Sequence, residues 1–351
     1  MASTMQDVAQ LAGVSMKTVS NVIHEHPHVR PSTRERVRAA IDELGYRPNM
    51  SARGLRSGRT GVIGLAVPSL RENYFAELAD AVIRAADRHG LSVLVEQTSG
   101  DREREVEVLT DKRARLTDGL LFSPVGLGQP DAPLLDTEFP LVLLGERIFG
   151  GPTDHVAMHN VSSARAAVEH LIDIGRRRIA VIGAEHDADD EASSARLRVA
   201  GYFQALEGAS IPVDPDLIRH GPHWSRSTGA MAIRGLLRDG VGFDAVFALN
   251  DSLGLGALRA LGEAGLRSPE DVAVIGFDNI DESQFTVPSM SSVDVGRDQI
   301  ATDAVDMLIE RIENKAPGQR PRTVKPDYRI IRRESTGFPV HGRSDVDGER
   351  S

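Results

Sequence analysis

The sequence predicts a small all-helical head followed by two α/β lobes, each built on a doubly wound parallel sheet. Three observations carry this expectation. Charge is unevenly placed: residues 1 to 60 hold nine Lys/Arg against five Asp/Glu, a net of +4, whereas the 351-residue chain totals -10, leaving -14 for residues 61 to 351. A split of that kind points to a nucleic-acid or membrane contact made by one end only. Apolar residues in the first 45 positions recur at helical spacing and are interrupted by tight turns. From Thr60 onward, short apolar runs alternate with helical ones in units of roughly 30 residues, the size of a strand, its crossover helix and the return.

Composition narrows the function classes. The chain has no cysteine, which excludes a disulfide framework, a thiolate metal site and a cysteine nucleophile. No run of about 18 apolar residues appears, and Met1 to Met5 lead into a polar amphipathic stretch rather than a signal-peptide core. A cytoplasmic protein without membrane contact is expected, and no cofactor is implied.

In the head, Val8, Leu11 and Ala12 mark a first helix and Gly13-Val14 a turn, and Ser15 is placed to cap a second helix over Met16 to Val22. Two helices crossing steeply need a small residue at their approach, a residue able to turn left-handed, and apolar flanks. Ala9, Gly13, Val14, Val19 and Val22 supply these in order, which is a helix-turn-helix with Ser15 to Val22 as the recognition helix. Ser32-Thr33-Arg34-Glu35 reads as a capping box opening a third helix to Leu44, whose Val37, Ala40, Ile41 and Leu44 close the core before Gly45 ends it. Met50 to Arg56 form one more helical stretch with no amphipathic face, marginal unless something orders it.

In the body, strands are expected at Val62 to Val67, Val93 to Val95, Leu120 to Phe122, Leu141 to Leu144, Ile179 to Ile182, Ala245 to Leu249 and Val272 to Phe277. Helices such as Tyr74 to Arg88, Ser162 to Ile174, Thr228 to Leu237 and Ser252 to Glu263 separate them. Continuously apolar strands are buried on both faces, so the sheets are parallel and covered by helices. The polar segment after Phe338 is expected to be disordered.

Several ordered motifs now carry a family likeness. Asp7 to Ser15, Thr18-Val19-Ser20, Thr33 to Val37 and Leu44 to Asn49 resemble the head of a LacI/GalR-type transcriptional repressor. The likeness continues through Ile63-Gly64-Leu65, Tyr74 to Glu77, Thr117 to Leu120, Ala195 to Gly201, Phe247 to Asp251 and Val274 to Asn279. It implies a helix-turn-helix domain over 1–46, a hinge helix over 47–58 and a periplasmic-binding-protein-like effector and dimerisation domain over 59–338. Within that domain it implies lobe 1 as 59–160 plus 294–325 and lobe 2 as 161–293 plus 326–338, with 339–351 a tail.

For DNA, the exposed start of a recognition helix points Met16 and Lys17 at base edges, with Ser20 and Asn21 one turn on. Lysine donates to guanine and asparagine pairs with adenine; Asn21 stands where the family often has arginine. Thr4, Ser15, Thr18 and Ser20 hydroxyls with Arg30, Arg34 and Asn49 are candidates for phosphate. The resemblance makes the segment with Arg53 and Leu55 the hinge helix, ordered against its dimer mate in the minor groove, with Leu55 the residue that wedges a base step. The alternative places Leu55 back on the lobe.

For a ligand, open α/β sheets bind beyond the carboxyl ends of their strands, which selects Ser69, Asn250, Asp251 and Asp278. The resemblance adds Arg198 and Trp224, and Tyr74 and Phe75 in the first lobe. Arg, Asp and Asn beside one indole suit a sugar, whose hydroxyls take the polar groups while the ring takes its C–H face. Asp251 serves equally as a helix-capping residue, and Phe75 as core. His24, His26 and His28 lack an acidic partner for a metal, Asp187 to Glu191 lack calcium-loop spacing, and Gly254, Gly256 and Gly262 miss the dinucleotide spacing. With no nucleophile elbow or catalytic carboxylate pair, no enzymatic activity is expected. The reading is a homodimeric repressor of a near-palindromic operator controlled by a small-molecule effector, a sugar or sugar derivative. A nucleoside or purine-type ligand, a partner protein as regulator, or more distantly a sugar-transport role are the alternatives.

Overall fold

The computed structural model describes residues 3–23, 26–46, 59–110, 116–185, 193–221, 223–313 and 320–338. It divides into two units, Met1–Thr60 and Gly61–Ser351. The stretch expected to form a hinge, with Asn49, Arg53 and Leu55, the acidic run Asp187 to Glu191, His24 and the expected tail over 339–351 lie outside the described residues.

The first unit holds α1 (Met5–Ala12), α2 (Met16–Ile23) and α3 (Pro31–Leu44) around Val8, Ala9, Ala12, Val19, Val22, Val37, Ala40 and Tyr46. Gly13 turns the chain at φ +61°, a conformation glycine takes without penalty. The Arg36 guanidinium of α3 donates to the Ala12 and Gly13 carbonyls, satisfying acceptors at the end of α1. Two caps differ from expectation. α3 begins at Pro31 with Arg30 before it and no side-chain cap. Proline at the first helical position has no N–H to satisfy and presets φ, so the helix starts ahead of the Ser32–Glu35 box. The capping box lies instead on α1, where Thr4 and Asp7 exchange hydrogen bonds.

The second unit contains two six-stranded sheets. The first comprises β1 (Val62–Val67), β2 (Ser92–Gln97), β3 (Leu120–Phe122), β4 (Leu141–Leu144), β5 (Asp154–Val156) and β11 (Thr323–Val324), in the order β11-β5-β4-β3-β1-β2. The second comprises β6 (Ile179–Ala184), β7 (Ile218–His220), β8 (Ala245–Ala248), β9 (Ala273–Phe277), β10 (Ser291–Asp294) and β12 (Arg329–Ile331), in the order β12-β10-β9-β8-β6-β7. α4 (Asn73–Asp87), α5 (Arg102–Thr110) and α10 (Arg297–Glu313) accompany the first sheet. α6 (Asn160–Asp173), α7 (Ser194–Gly208), α8 (Arg226–Arg238) and α9 (Asp251–Glu263) accompany the second. The chain passes between sheets after β5, after β10 and after β11.

Alternation assigns the faces. Ile63, Leu65 and Val67 of β1, Leu121 of β3 and Val142 and Leu144 of β4 join one core. Ala66, Leu120, Phe122, Leu141 and Leu143 join another on the opposite face, with Leu109 of α5. Both faces being buried is why these strands read as unbroken apolar runs. One strand departs from the all-parallel expectation: β12 runs antiparallel to β10. It follows β11 by a short link from the other sheet, and a parallel return within one sheet needs a crossover far longer than that. At the edge of the first sheet, the fully buried Asp154 accepts from Arg311 Nε and Nη2 at 2.8 Å each and from the Arg322 N–H at 2.8 Å. That fork ties β5, α10 and the start of β11 together and holds the Asp154 carboxyl below its ordinary range despite burial.

Candidate functional site

Two regions place chemistry. In the first unit α2 offers its exposed start: Met16 is 49% exposed, Lys17 is exposed, and Ser20 and Asn21 lie half-buried one turn on. Ser15 Oγ accepts the Thr18 N–H at 3.2 Å and lies 2.9 Å from Thr18 Oγ1, so both hydroxyls help start the helix. Thr4 Oγ1 donates to Asp7 at 2.8 Å. Arg34 donates to the His26 carbonyl at 2.8 Å, while Arg30 is exposed. Four of the residues expected at phosphates therefore also hold the fold.

In the second unit a cleft of about 680 Å³ opens between the two lobes. Its polar lining comes from the carboxyl ends of strands, as in other open α/β sheets: Ser123 after β3, Glu146 after β4, Glu185 after β6, Asn250 after β8 and Asp278 after β9. Tyr74 and Phe75 reach it from the start of α4, Arg198 from α7, and Trp224 from the turn before α8. The structure thus brings together Tyr74, Phe75, Arg198, Trp224, Asn250 and Asp278.

Arg198 is the organising group. Its side chain is 3% exposed. Nε donates to Asn160 Oδ1 at 2.7 Å, Nη1 to the Leu249 carbonyl, and Nη2 to Met158 Sδ at 3.7 Å. Nη2 also lies 3.6 Å from Asp278 Oδ1. The guanidinium carbon sits 3.6 Å from the Phe277 ring centroid and 5.0 Å from that of Trp224, a cation–π arrangement in a desolvated place. Burial draws its pKa down, and Asp278 and Glu146 oppose that. Trp224 is fixed in turn by its Nε1–H donating to Gly183 O at 2.8 Å. Gly183 is at φ +100°, and a Cβ there would collide with Leu253.

Asp278 stands at φ +103° and Asn279 at φ +50°, consecutive left-handed residues that cost energy and persist only where the surroundings enforce them. Arg297 donates to the Asp278 carbonyl at 3.1 Å, Ser292 Oγ accepts the Asn279 N–H at 3.0 Å, and Arg333 donates to Asn279 Oδ1 at 2.7 Å. The turn aims the Asp278 side chain into the cleft. Burial pushes its carboxyl up to about 8 against the pull of Arg198. Burial, then the carboxylates of Asp278 and Glu146, likewise holds the Tyr74 phenol above its usual range, and burial raises Glu72, with His223 opposing.

Two expected residues are placed elsewhere. Asp251 is fully buried behind the cleft wall and accepts from the Ile280 N–H at 2.8 Å, Ser283 Oγ at 2.8 Å and Ser292 Oγ at 2.6 Å. With these donors satisfied, it braces the 278–283 turn; Asn250, not Asp251, caps α9 by accepting the Leu253 N–H at 2.9 Å. Ser69 is not among the lining residues; its Oγ accepts the Arg71 N–H at 3.3 Å within the loop after β1.

Beyond the residues expected from sequence the cleft also takes Ser123, Glu185 and Glu146, of which Glu146 reaches across it. Its Oε1 accepts the Met158 N–H at 2.8 Å and Oε2 accepts Ser194 Oγ at 2.9 Å, so it joins the lobes across the cleft. A second bridge lies at the mouth: Arg226 Nη2 contacts Glu282 at 2.9 Å and Asn73 Oδ1 at 3.1 Å, Asn73 donates to Glu282, and Glu77 accepts the Asp281 N–H at 3.0 Å. Glu146 follows Gly145, and a carboxylate directly after an apolar strand was the available signal. Among the described residues no group of three or more His, Asp or Glu is arranged to hold a metal ion, and no helix is long and apolar enough to cross a membrane.

Comparison with known proteins accounts for both regions. A model of the bacterial regulatory proteins of the lacI family matches residues 4–49, and one of a periplasmic binding protein-like domain matches residues 168–336. The HTH-type transcriptional repressor PurR of Pasteurella multocida is 33% identical over 336 residues, covering 94% of this chain and 98% of that protein. The ribose operon repressor of Escherichia coli K12 is 33% identical over 329 residues, covering 92% and 97%. A LacI-family regulator from Sanguibacter keddieii is 50% identical with a TM-score of 0.74, covering 80% of this chain and 100% of that structure. The Lac repressor bound to ONPG is 29% identical with a TM-score of 0.81, covering 95% and 100%. On identity sustained over nearly its whole length, with the head motif and the two-sheet body both matched, the chain belongs to the LacI family of bacterial regulatory proteins.

Proposed function

We propose that this chain is a dimeric, sequence-specific transcriptional repressor whose operator affinity is set by a sugar or sugar derivative held between its lobes. The observation that carries the ligand half is the cleft itself: about 680 Å³ at the strand ends, with Asp278, Asn250 and Ser123 beside the Trp224 indole and the Tyr74 and Phe75 rings. Hydroxyls of a polyol donate to the carboxylate and amide groups, while its C–H faces lie against the rings. Two of the similar proteins are described as a ribose operon repressor and a regulator in complex with cellobiose.

On the DNA side, Met16, Lys17, Ser20 and Asn21 enter the major groove, and Arg30 with the Ser15 and Thr18 hydroxyls meets phosphate. The proposal extends DNA contact to Asn49, Arg53 and Leu55 as a hinge, residues that lie outside the described ones. A two-fold dimer calls for a near-palindromic operator. A ligand shifts this equilibrium only through unequal affinity for two lobe arrangements. The bridges at Glu146–Ser194 and Arg226–Glu282–Asn73 cross the cleft, so opening it would break them. The protein acts in the cytoplasm, where its DNA is, and catalyses nothing. The second reading, a purine-type ligand, draws on the PurR relatives and on the same aromatic lining.

Selection of the full-length chain against randomised duplex DNA tests the proposal. Enrichment of one near-palindromic site, with occupancy altered by a sugar, is the expected result. Enrichment of no sequence would overturn it, and a response to purines but not sugars would replace the ligand class.

A further inference from the structure

The charge balance of the cleft says more about its ligand than its shape does. Four carboxylates line it, Glu72, Glu146, Glu185 and Asp278, against the guanidinium groups of Arg147 and Arg198 and the His223 imidazole. Arg198 is not open to a ligand anion. It spends Nε, Nη1 and Nη2 on Asn160, Leu249, Met158 and Asp278, and the Phe277 and Trp224 rings lie against it. Arg147 turns its Nε to the Leu127 carbonyl at 3.2 Å. The carboxylates differ among themselves. Glu146 is taken up by Met158 N–H and Ser194 Oγ, and Glu185 accepts from Ser193 Oγ at 2.6 Å. The carboxylate of Asp278, a residue 5% exposed, accepts no hydrogen bond from the described residues and meets Arg198 at the longer distance of 3.6 Å.

A buried carboxylate short of donors, in a pocket with acid to spare, is relieved most by a ligand that brings its own positive charge. We infer that the cleft selects its effector by charge, taking a polyhydroxylated ligand that carries a protonated amine, of the amino-sugar class, with the ammonium at Asp278, and rejecting phosphorylated or carboxylated sugars. Burial raises the Asp278 and Glu72 carboxyls, and an ammonium set beside Asp278 favours its charged form, so binding of the amine draws the proton off that acid. This inference rests on the reading of the cleft as a sugar site and adds the sign of the ligand's charge. An anionic sugar would meet Glu146 with the Arg198 guanidinium already committed, and like charges at close range cost more in an enclosed site than in water.

The chain's only tryptophan lines this cleft, so its intrinsic fluorescence reports occupancy of this site alone. The experiment titrates the full-length protein at pH 7 with matched sets built on the glucose, galactose and mannose frames. Each set comprises the parent sugar, the 2-amino sugar, its N-acetyl derivative, the 6-phosphate and the uronate. On the frame that binds, the amino sugar is expected to bind about tenfold or more tighter than both the parent and the N-acetyl form, the usual reach of one charge-assisted contact. Phosphate and uronate should leave the emission unchanged. Asp278→Asn should bring the amine-to-parent ratio close to 1. A parent sugar binding as tightly as its amine, or any phosphate or uronate binding, overturns the inference while leaving the sugar site standing. Silence from every member overturns the sugar site itself.

Discussion

Replacing Arg198 by alanine should destabilise the protein to an extent that depends on pH, and both the size and the slope follow from its surroundings. The guanidinium serves the Asn160 Oδ1 and Leu249 carbonyl acceptors inside a region that water does not reach. Leaving a buried acceptor bare costs about 1–3 kcal/mol, and breaking a buried ion pair by removing one partner costs about 3–5 kcal/mol. Asp278 decides which figure applies. Its carboxyl is pushed up to about 8 even with Arg198 beside it, and without that cation its pKa rises further. At pH 6 the acid is neutral in both proteins, so the variant loses hydrogen bonds and ring stacking, about 2–3 kcal/mol in all. At pH 9 the parent retains an ion pair that the variant lacks, and the loss grows toward about 4–5 kcal/mol. Urea unfolding followed by far-ultraviolet circular dichroism at the two pH values measures the difference without relying on the neighbouring indole. A loss below about 1 kcal/mol at pH 9, smaller than a single bare acceptor, or one equal at both pH values, would refute the assignment of Arg198 as partner of a buried acid.

The same raised carboxyl gives the parent protein a definite pH profile. A folded-state pKa near 8 above an unfolded value of 3.8 means stability is fullest below pH 3.8 as far as Asp278 is concerned and declines as pH climbs toward 8; Asp278→Asn should flatten that part of a melting-temperature profile. Gly276 in β9 lies where a Cβ would collide with Asp251 Oδ1, so Gly276→Ala should cost about 1–3 kcal/mol. Gly262 near the end of α9 has open space around it, and Gly262→Ala should be neutral or gain up to about 1 kcal/mol; calorimetry of the pair checks that the site, not glycine as such, matters. Asn21→Ala should weaken binding to a selected operator by about 1–3 kcal/mol and relax preference at one base pair, measured by fluorescence anisotropy at fixed salt, while an equal loss on random duplex would place Asn21 at phosphate.

Legibility from sequence tracked how local the determining physics is. β1, β3 and β4 fall at the residues expected from their apolar runs, because burial of both faces leaves an unbroken signal. The helix-turn-helix was equally plain, since Gly13, Val19 and Val22 meet demands set within a few residues of themselves. The caps of α1 and α3 misled because a Ser-x-x-Glu spacing competes with Pro31, and proline wins by fixing φ one residue earlier. β12 was hidden for a different reason. Its direction is set by where the chain enters from the other lobe, and three residues carry no periodicity to reveal it.

The cleft exposes a sharper limit. Position at a strand's carboxyl end nominated Ser69, Asn250, Asp251 and Asp278 alike, and each is chemically able to hold a hydroxyl. What separates them is which donors and acceptors the fold has already used. Asp251 accepts three hydrogen bonds and carries the turn that aims its neighbour in space, Asp278; Asn250 spends its carbonyl oxygen on a helix end. Gly276 makes room for the first of these arrangements, since any side chain there would displace the Asp251 carboxylate. Asp278 is held at a costly φ by partners on its backbone and its neighbour, which leaves its carboxylate turned to the cleft. Strain spent to present an under-satisfied acid is explicable only if something arrives to satisfy it, and that expectation comes from hydrogen-bond accounting in three dimensions rather than from the motif Phe277-Asp278-Asn279.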